Sequence, residues 1–289
     1  MALSRALMIA IILIVAYPVR AEQARKIYRV GYLFLGFRNQ GREEALKDSL
    51  RSLGYIDGQT VTIEWRYAQE HLDRLPELAS ELVRLHMDVI LTGGGYPAVQ
   101  AVRNATSTVP IVMLGVSDAV ELGFVKSLAR PGGNITGMSN FAPELSGKLL
   151  ELTKEAIPQA WRAAVFAYSS SPNWKLYFKQ MHGTAQFLGM QLLAFRISKP
   201  DQIESSFEIA RKKRADALIV PGSAFLSLYR ERILRLATRN QLPVISFSAA
   251  WAEGGSLLSY GPTAGDFNRR AAIYVDKILK GAQGPLICL

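Results

Sequence analysis

Glycines, serines and aromatic residues cluster in short segments of this 289-residue chain, such as 92–96 and 246–251, and these segments are its strongest candidates for chemistry. Small residues let backbone N–H groups at helix N-termini approach an anionic group such as a carboxylate, while aromatic rings supply apolar or stacking walls. The combination predicts a binding site for a small zwitterion or an aromatic compound. The candidate ligand-binding residues are Phe37, Gly93, Gly94, Tyr96, Ser117, Asp118, Tyr168, Asn173, Ser223 and Trp251.

Several of these residues have an alternative, structural interpretation. Gly93 and Gly94 could form only a tight strand-to-helix turn, and their segment lacks the lysine and the serine or threonine of a phosphate loop. Asp118 could bind a ligand ammonium group or cap the following helix. Tyr96 and Trp251 could be core or rim aromatics rather than ligand walls. The sequence leaves these alternatives open.

The sequence contains no recognisable catalytic arrangement. His71, His86 and His182 are isolated, without the spacing of a metal site or a nucleophile relay. Ser117 lacks the second glycine, two residues later, that a serine-hydrolase elbow requires. The single cysteine, Cys288, excludes an internal disulfide and a cysteine-based metal site. We therefore expect a binding protein rather than an enzyme, with no metal and no cofactor.

Apolar runs of strand length alternate with longer stretches of helical periodicity, which predicts an α/β protein. The same alternation in both halves predicts two Rossmann-like lobes, each a parallel sheet flanked by helices. The predicted helices include 120–129 and a continuous helix over 225–239. Because ligands bind at the carboxyl ends of strands in open parallel sheets, the candidate segments are expected to meet there.

The N-terminal residues have the pattern of a secretory signal peptide. Arg5 precedes an apolar run over 7–16 that is too short to cross a bilayer as a helix, and Val19 and Ala21 fit a cleavage pocket for small side chains. We predict a signal peptide over 1–21 and a periplasmic, extracytoplasmic location; an uncleaved membrane anchor is the alternative. The formal net charge is +10, but the basic residues are spread along the chain, so we expect no nucleic-acid partner.

The run 127–137, SLARPGGNITG, is the most specific motif of the chain. Together with VGYL at 30–33, GYIDGQ at 54–59 and YVDKILKGA at 274–282, it resembles the ABC transporter substrate-binding protein family, which has the type I periplasmic-binding fold. Family members usually continue after the Lys-Gly-Ala segment with a further strand and helix, whereas this sequence ends at 284–289. We therefore interpret the chain as C-terminally truncated.

The resemblance implies two lobes joined by a hinge of three crossings, which close on a small-molecule ligand and deliver it to an ABC permease at the membrane. The implied lobes are 27–142 plus 264–289 and 143–263, and a monomer is expected. Some family members are associated with aromatic amino acids, so the ligand is expected to be an aromatic or other amino acid. An exported sensor that signals to a membrane receptor is the alternative.

Overall fold

The computed structural model describes residues 26–140, 142–169, 174–261 and 264–281. These residues form two parallel sheets flanked by helices, which confirms the predicted fold class. The strands are β1 Tyr28–Phe34, β2 Val61–Tyr67, β3 Val89–Gly93, β4 Ile111–Ser117, β5 Ile135–Asn140, β6 Arg162–Tyr168, β7 Gln191–Ile197, β8 Ala217–Val220, β9 Val244–Ser246 and β10 Leu258–Ser259. The α-helices are α1 Gln40–Ser52, α2 Leu75–Arg84, α3 Tyr96–Ala105, α4 Ala142–Ala156, α5 Trp174–Phe187, α6 Gln202–Lys212, α7 Ala224–Leu228, α8 Arg230–Arg239, α9 Ala249–Glu253 and α10 Ala264–Leu279.

The first sheet has the strand order β2-β1-β3-β4-β5, and all neighbouring strands are parallel. Successive side chains of its strands point to opposite faces: Leu33 and Ile90 lie in one hydrophobic cluster, and Tyr32 and Leu91 in the other. Because both faces are covered, the strands are continuous apolar runs rather than alternating ones. The chain order reverses between β1 and β3, which creates a topological switch point at their carboxyl ends.

The second sheet has the order β10-β9-β8-β6-β7 and is also entirely parallel. Phe166 and Leu218 pack on one face, and Val165 and Ile219 on the other. Its switch point lies between β6 and β8. Strands β6 to β10 therefore repeat the topology of β1 to β5, in agreement with the similar alternation in the two halves of the sequence.

The chain passes between the two sheets and returns. After β5, α4 packs against α5 and against β8 and β9 of the second sheet, whereas α10 packs on α1 and on β3, β4 and β5 of the first. Two hydrogen bonds anchor α10 there: Tyr32 Oη donates to Asn268 Oδ1 and Tyr55 Oη donates to Asp276 Oδ1, each at 3.1 Å. The lobe boundaries 27–142 plus 264–289 and 143–263 stay a prediction, because a hinge is located by comparing an open with a closed state.

Two helix predictions are wrong. Residues 120–129 form turns rather than a helix. Gly123 N donates to Val120 O, and the φ of Gly123 is 66°, so the backbone enters the left-handed region and cannot continue a right-handed helix. Residues 225–239 form two helices, α7 and α8, which separate at Tyr229 with φ −101° and ψ 18°.

The run 127–137 that carries the family resemblance leads into β5, a strand that the sequence analysis missed. Asn134 Nδ2 donates to Val109 O at 2.8 Å, and Ile111 N donates to Asn134 O at 2.7 Å, so the run is held at the start of β4. Gly137, within β5, has a φ of 131°, and a Cβ there would lie 2.3 Å from Met113 O. Only glycine fits this close approach of β5 to β4.

Three predictions fall on residues outside the described ranges: the signal peptide over 1–21, the site residue Asn173 and the terminal segment 284–289. They stay predictions. Within the described part of the chain, no helix combines the length and the apolar character needed to span a bilayer.

Candidate ligand-binding site

A cavity of about 470 Å³ lies between the carboxyl ends of the two sheets. Its lining comes from segments at the ends of β1, β3 and β4 on the first-sheet side and of β6, β8 and β9 on the second-sheet side. Both topological switch points therefore border it, which is where ligands bind in open parallel sheets. Small-molecule sites typically enclose about 300–1,000 Å³, so the cavity has the size of a site for a single small solute.

The first-sheet side of the cavity combines aromatic rings with a glycine turn. Gly94 has a φ of 96°, and a Cβ there would lie 2.4 Å from Leu35 Cβ, so glycine lets the turn after β3 pack against the segment after β1. Tyr96 begins α3, and its ring packs against Phe124 with 5.5 Å between ring centroids. Phe37 also borders the cavity and is 57% exposed, which leaves most of its ring open to a ligand or solvent.

The second-sheet side of the cavity is lined by aromatic rings and by the polar side chain of Ser223. Tyr168, at the end of β6, stacks on Phe225 with 4.2 Å between centroids and 17° between ring planes. Trp251 of α9 borders the cavity while packing into the core of the second sheet, where only 3% of it is exposed. Ser223 caps α7, because its Oγ accepts a hydrogen bond from Leu226 N at 3.2 Å. Rings held by stacking and packing present flat apolar surfaces to a ligand.

Tyr177 makes two hydrogen bonds at the cavity, and one of them joins its two sides. Tyr177 of α5 donates its phenol proton to Gly222 O at 3.0 Å, and its Oη lies 3.0 Å from Ser117 Oγ at the end of β4. Since that phenol proton goes to Gly222, the Ser117 hydroxyl is the donor to Tyr177. Ser117 belongs to the first sheet and Tyr177 packs with the second, so the bond between them crosses the cavity.

The cavity lining carries more positive than negative side chains. Its charged members are Arg38, Arg42, Glu70 and Arg230. The guanidinium group of Arg42 stacks over the Phe34 ring, with 3.8 Å from Cζ to the ring centroid. Nη1 of Arg42 and Nε of Arg230 are buried, and neither has a hydrogen-bond partner within the described residues. Buried donors without an acceptor are costly, so these two nitrogens are the least satisfied polar groups of the lining.

The acids in and beside the cavity have different environments. Burial opposes the ionisation of Glu43, but hydrogen bonds from Arg38 and from Tyr67, the latter at 2.6 Å, outweigh burial and hold the pKa of Glu43 below its usual value. Burial raises the pKa of Glu70, which borders the cavity, and the positive charge of His71 offsets this only in part.

Among the described residues, no three His, Cys, Asp or Glu side chains are grouped in a way that could hold a metal ion.

The structure brings most of the predicted site residues together around the cavity. Those that border it are Phe37, Gly94, Tyr96, Ser117, Tyr168, Ser223 and Trp251. Gly93 lies behind the lining at the end of β3, where a Cβ would meet the Phe34 ring at 2.6 Å. Asp118 also lies outside the lining, and its Oδ1 accepts a hydrogen bond from Glu121 N at 3.1 Å, so it caps a turn. Ligand contact by any of these residues stays a prediction.

Sequence reasoning missed the charged groups of the site and the tyrosine that joins its two sides. Glu70 follows β2, whose carboxyl end belongs to the same sheet edge, so the strand-end rule could have found it. Arg42 and Tyr177 lie in the first turns of helices that follow strand ends, one step beyond the segments considered. Arg230 begins α8 at a helix break without glycine or proline, so no sequence signal marked it.

The sequence matches the family described as ABC transporter substrate binding protein over residues 39–286. This match covers most of the chain, and its parallel two-sheet architecture with a cavity between the sheets has the form of a solute-binding protein. The chain therefore belongs to the ABC transporter substrate-binding protein family, as its motifs predicted.

Relatives and solved structures of this class are similar over most of the chain. The tyrosine-binding protein of Clostridioides difficile (strain R20291) is 29% identical over 233 residues, which are 81% of this chain and 66% of that protein, slightly under two-thirds of its length. An ABC domain from Streptococcus pneumonia in complex with L-Trp has a TM-score of 0.82 at 24% identity, covering 90% of this chain and 87% of that one. The ligand-free, open structure of a substrate binding protein with adhesive properties from Clostridium difficile has a TM-score of 0.65 at 26% identity, covering 88% and 86%.

Proposed function

We propose that the protein is the extracytoplasmic solute-binding component of an ABC uptake system and that its solute is an aromatic amino acid. The observation that carries the proposal is the cavity of about 470 Å³ at the carboxyl ends of both sheets, with aromatic walls and charges of both signs. Aromatic walls favour a flat apolar side chain, and charges of both signs favour a zwitterionic head group. A ligand of this kind satisfies both features at once.

The comparisons support this choice of ligand class. The 29% identical relative from Clostridioides difficile is named for tyrosine, and its similarity extends over most of the present chain. The Streptococcus pneumonia domain, which has the same fold, holds L-Trp in its structure. Both ligands have an aromatic ring and a zwitterionic head group, the two features that the cavity lining favours.

In the proposed mechanism, the two sides close on the ligand by a hinge motion that shifts an existing equilibrium between open and closed forms. The TM-score is higher for the complex with L-Trp, 0.82, than for the ligand-free open structure, 0.65, which supports a closed arrangement of the present chain. We assign the hydrogen bond from Ser117 to Tyr177 to that closed form. The loaded protein would then be recognised by a membrane permease.

Within the site, we assign the aromatic side chain of the ligand to the space between Tyr96 and the stacked pair Tyr168 and Phe225. The backbone turn at Gly94 contributes to the polar end, as in the interpretation from sequence. The ammonium group is assigned to Glu70 instead of Asp118. Glu70 borders the cavity, whereas the carboxylate of Asp118 lies outside the lining and caps a turn.

Calorimetric titration with L-tyrosine, L-tryptophan and L-phenylalanine tests the proposal. L-leucine, L-glutamate and glucose are the comparison ligands. We expect selective binding of an aromatic amino acid, with a rise in the unfolding temperature when the ligand is in excess of its dissociation constant. Tyr168→Ala removes half of the stacked wall and should weaken binding by about tenfold or more, since an aromatic contact and its buried area are both lost. Phe187→Ala is the matched control, because Phe187 is 89% exposed and distant from the lining.

A protein that binds glucose or glutamate and none of the aromatic amino acids would contradict the ligand assignment. The transport role has a separate test. Deletion of the gene should abolish uptake of the radiolabelled ligand by whole cells, and the deletion strain should recover uptake when the wild-type chain is supplied. Unchanged uptake with intact binding would favour the sensor role over the transport role.

A further inference from the structure

Two arginines border the cavity from opposite sides, and neither has an anionic partner among the described residues. Arg42 lies in α1 beside the first sheet, and Arg230 begins α8 beside the second, and both border the same cavity. Each has one guanidinium nitrogen that is buried and lacks a hydrogen-bond acceptor within the described residues. Leaving a buried donor on a cation unsatisfied costs more than leaving a neutral donor unsatisfied. Both residues border the cavity, so an anionic group that enters it can pair with their guanidinium groups.

The acid next to Arg42 in the chain is committed to other partners. Glu43, next to Arg42 in the chain, accepts hydrogen bonds from Arg38 at 2.8 and 3.1 Å and from Tyr67 at 2.6 Å. The carboxylate of Glu43 therefore pairs with Arg38 and not with Arg42.

Arg232 shows how a structural arginine of the same helix differs from Arg230. Two residues along α8, Arg232 Nε and Nη2 donate to the two carboxylate oxygens of Glu204 at 2.6 and 2.5 Å. Arg232 does not border the cavity. The unsatisfied arginine of α8 is thus the one that faces the cavity, and the satisfied one packs against α6.

We propose that Arg42 and Arg230 are the carboxylate-binding residues of the site, one from each side, and that a ligand carboxylate is required for tight closure. The inference rests on the proposed function and deepens it by naming the chemical group through which the amino acid is held. Guanidinium groups bind carboxylates through charge-assisted hydrogen bonds of defined geometry. Stacking on Phe34 holds the Arg42 guanidinium by its face and leaves its N–H edge available to an acceptor.

The same arrangement couples binding to closure. Closure brings two like charges to one cavity, and their mutual repulsion opposes the closed form while the cavity is empty. A carboxylate between them replaces repulsion by attraction, so it stabilises the closed form relative to the open one. Neutral analogues of the same shape lack this contribution.

A ligand series isolates the carboxylate: L-tyrosine, tyramine, which lacks it, and 3-(4-hydroxyphenyl)propionate, which lacks the amine. By calorimetry, tyramine should bind the wild-type protein about tenfold or more weakly than L-tyrosine. Arg42→Met and Arg230→Met should each weaken L-tyrosine by a similar factor and leave the affinity for tyramine unchanged. Equal affinity of the wild-type protein for L-tyrosine and tyramine would overturn the proposal, as would variants that weaken both compounds equally.

Thermal unfolding without ligand provides a second readout that does not depend on the aromatic assignment. Arg42→Met and Arg230→Met each remove a guanidinium group that has one buried nitrogen without an acceptor, so both should keep or raise the unfolding temperature. Arg232→Met breaks the pair with Glu204 and should lower it, while exposed Arg51→Met should change it little. If none of the three compounds binds, the aromatic assignment fails by itself. The premise that neither arginine has a stabilising partner within the protein stands if both cavity variants keep or raise the unfolding temperature, and the proposal falls if both lower it as much as Arg232→Met.

Discussion

At the scale of single residues, the proposed contact of Glu70 with the ligand ammonium group predicts that ligand binding is sensitive to pH. Burial raises its pKa, and it must be ionised to accept a ligand ammonium group. Affinity for L-tyrosine should therefore be full above this raised pKa and fall as the pH drops through it. Glu70→Gln should lower the affinity at neutral pH by about tenfold or more and remove the acid-dependent loss. Calorimetric titrations from mildly acidic to neutral pH measure both effects.

Asp118→Asn is the matched control for Glu70→Gln. Asparagine can retain the hydrogen bond to Glu121 N, and it tolerates the positive φ of 53° at this position. Because Asp118 lies outside the lining, its neutralisation should leave the affinity and its pH dependence unchanged. Loss of affinity in Asp118→Asn with no change in Glu70→Gln would return the ammonium contact to Asp118.

The aromatic and small residues that border the cavity were predictable, whereas Arg42 and Arg230 were not. Tyr96 and Tyr168 stand directly at strand ends, so the topology rule for parallel sheets was sufficient to place them. Arg42 lies in the first turn of a helix. Whether it is available to a ligand depends on whether the nearby carboxylates are already paired with other residues. The sequence gives no indication that Glu43 is committed to Arg38, so it cannot distinguish a satisfied arginine from an unsatisfied one.

At the scale of structural elements, the turn between β3 and α3 packs closely against the segment after β1, and we expect it to position the polar end of the proposed site. Gly94→Ala adds a Cβ that would lie 2.4 Å from Leu35 Cβ and 2.9 Å from Leu35 N, at a φ of 96°. Gly54→Ala is the control, because Gly54 has a similar φ of 90° but nothing within 4 Å of the added atom. Gly54→Ala should cost about 1 kcal/mol of unfolding free energy from backbone strain alone.

Gly94→Ala should cost clearly more than Gly54→Ala and should also weaken binding of L-tyrosine, because the segments after β1 and β3 must separate. Chemical denaturation measures the free energy of unfolding, and calorimetry measures the affinity. Equal destabilisation by the two substitutions would indicate that the segment after β1 yields freely and that close packing at Gly94 does not position the site.

Element prediction failed where no local residue signals the change. The break between α7 and α8 at Tyr229 contains neither glycine nor proline, yet it places Arg230 at the cavity. The turns over 120–129 have an apolar composition compatible with a helix, and only Gly123 in the left-handed region shows why the helix does not form. In both cases apolar periodicity alone did not locate the change of backbone conformation.

At the scale of the whole molecule, the repeated topology brings two switch points to one cavity. The alternation of strands and helices predicted the two sheets, but strand alternation cannot fix how two sheets face each other. That arrangement depends on contacts between distant segments, such as the bond between Ser117 and Tyr177. A cavity built from both sheets changes shape when the sheets move relative to each other. The affinity of the protein for its ligand therefore depends on the population of the closed form.

Ser117→Ala tests this dependence. The substitution removes the hydrogen bond that crosses the cavity and leaves the bond from Tyr177 to Gly222 O on the second-sheet side intact. A single hydrogen bond contributes about 0.5–1.5 kcal/mol, so the affinity for L-tyrosine should fall about two- to tenfold. Small-angle scattering of the ligand-free variant should show a larger radius of gyration than that of the wild-type protein.

Ser49→Ala is the control, because Ser49 Oγ donates to Ala45 O within α1 and touches neither the cavity nor the second sheet. It should change neither affinity nor scattering. If Ser117→Ala also leaves both unchanged, the crossing bond does not set the closed population, and closure must depend on the ligand contacts of Arg42 and Arg230. If it lowers affinity without changing the ligand-free scattering, the bond forms only in the bound state, and the predicted difference in ligand-free scattering is wrong.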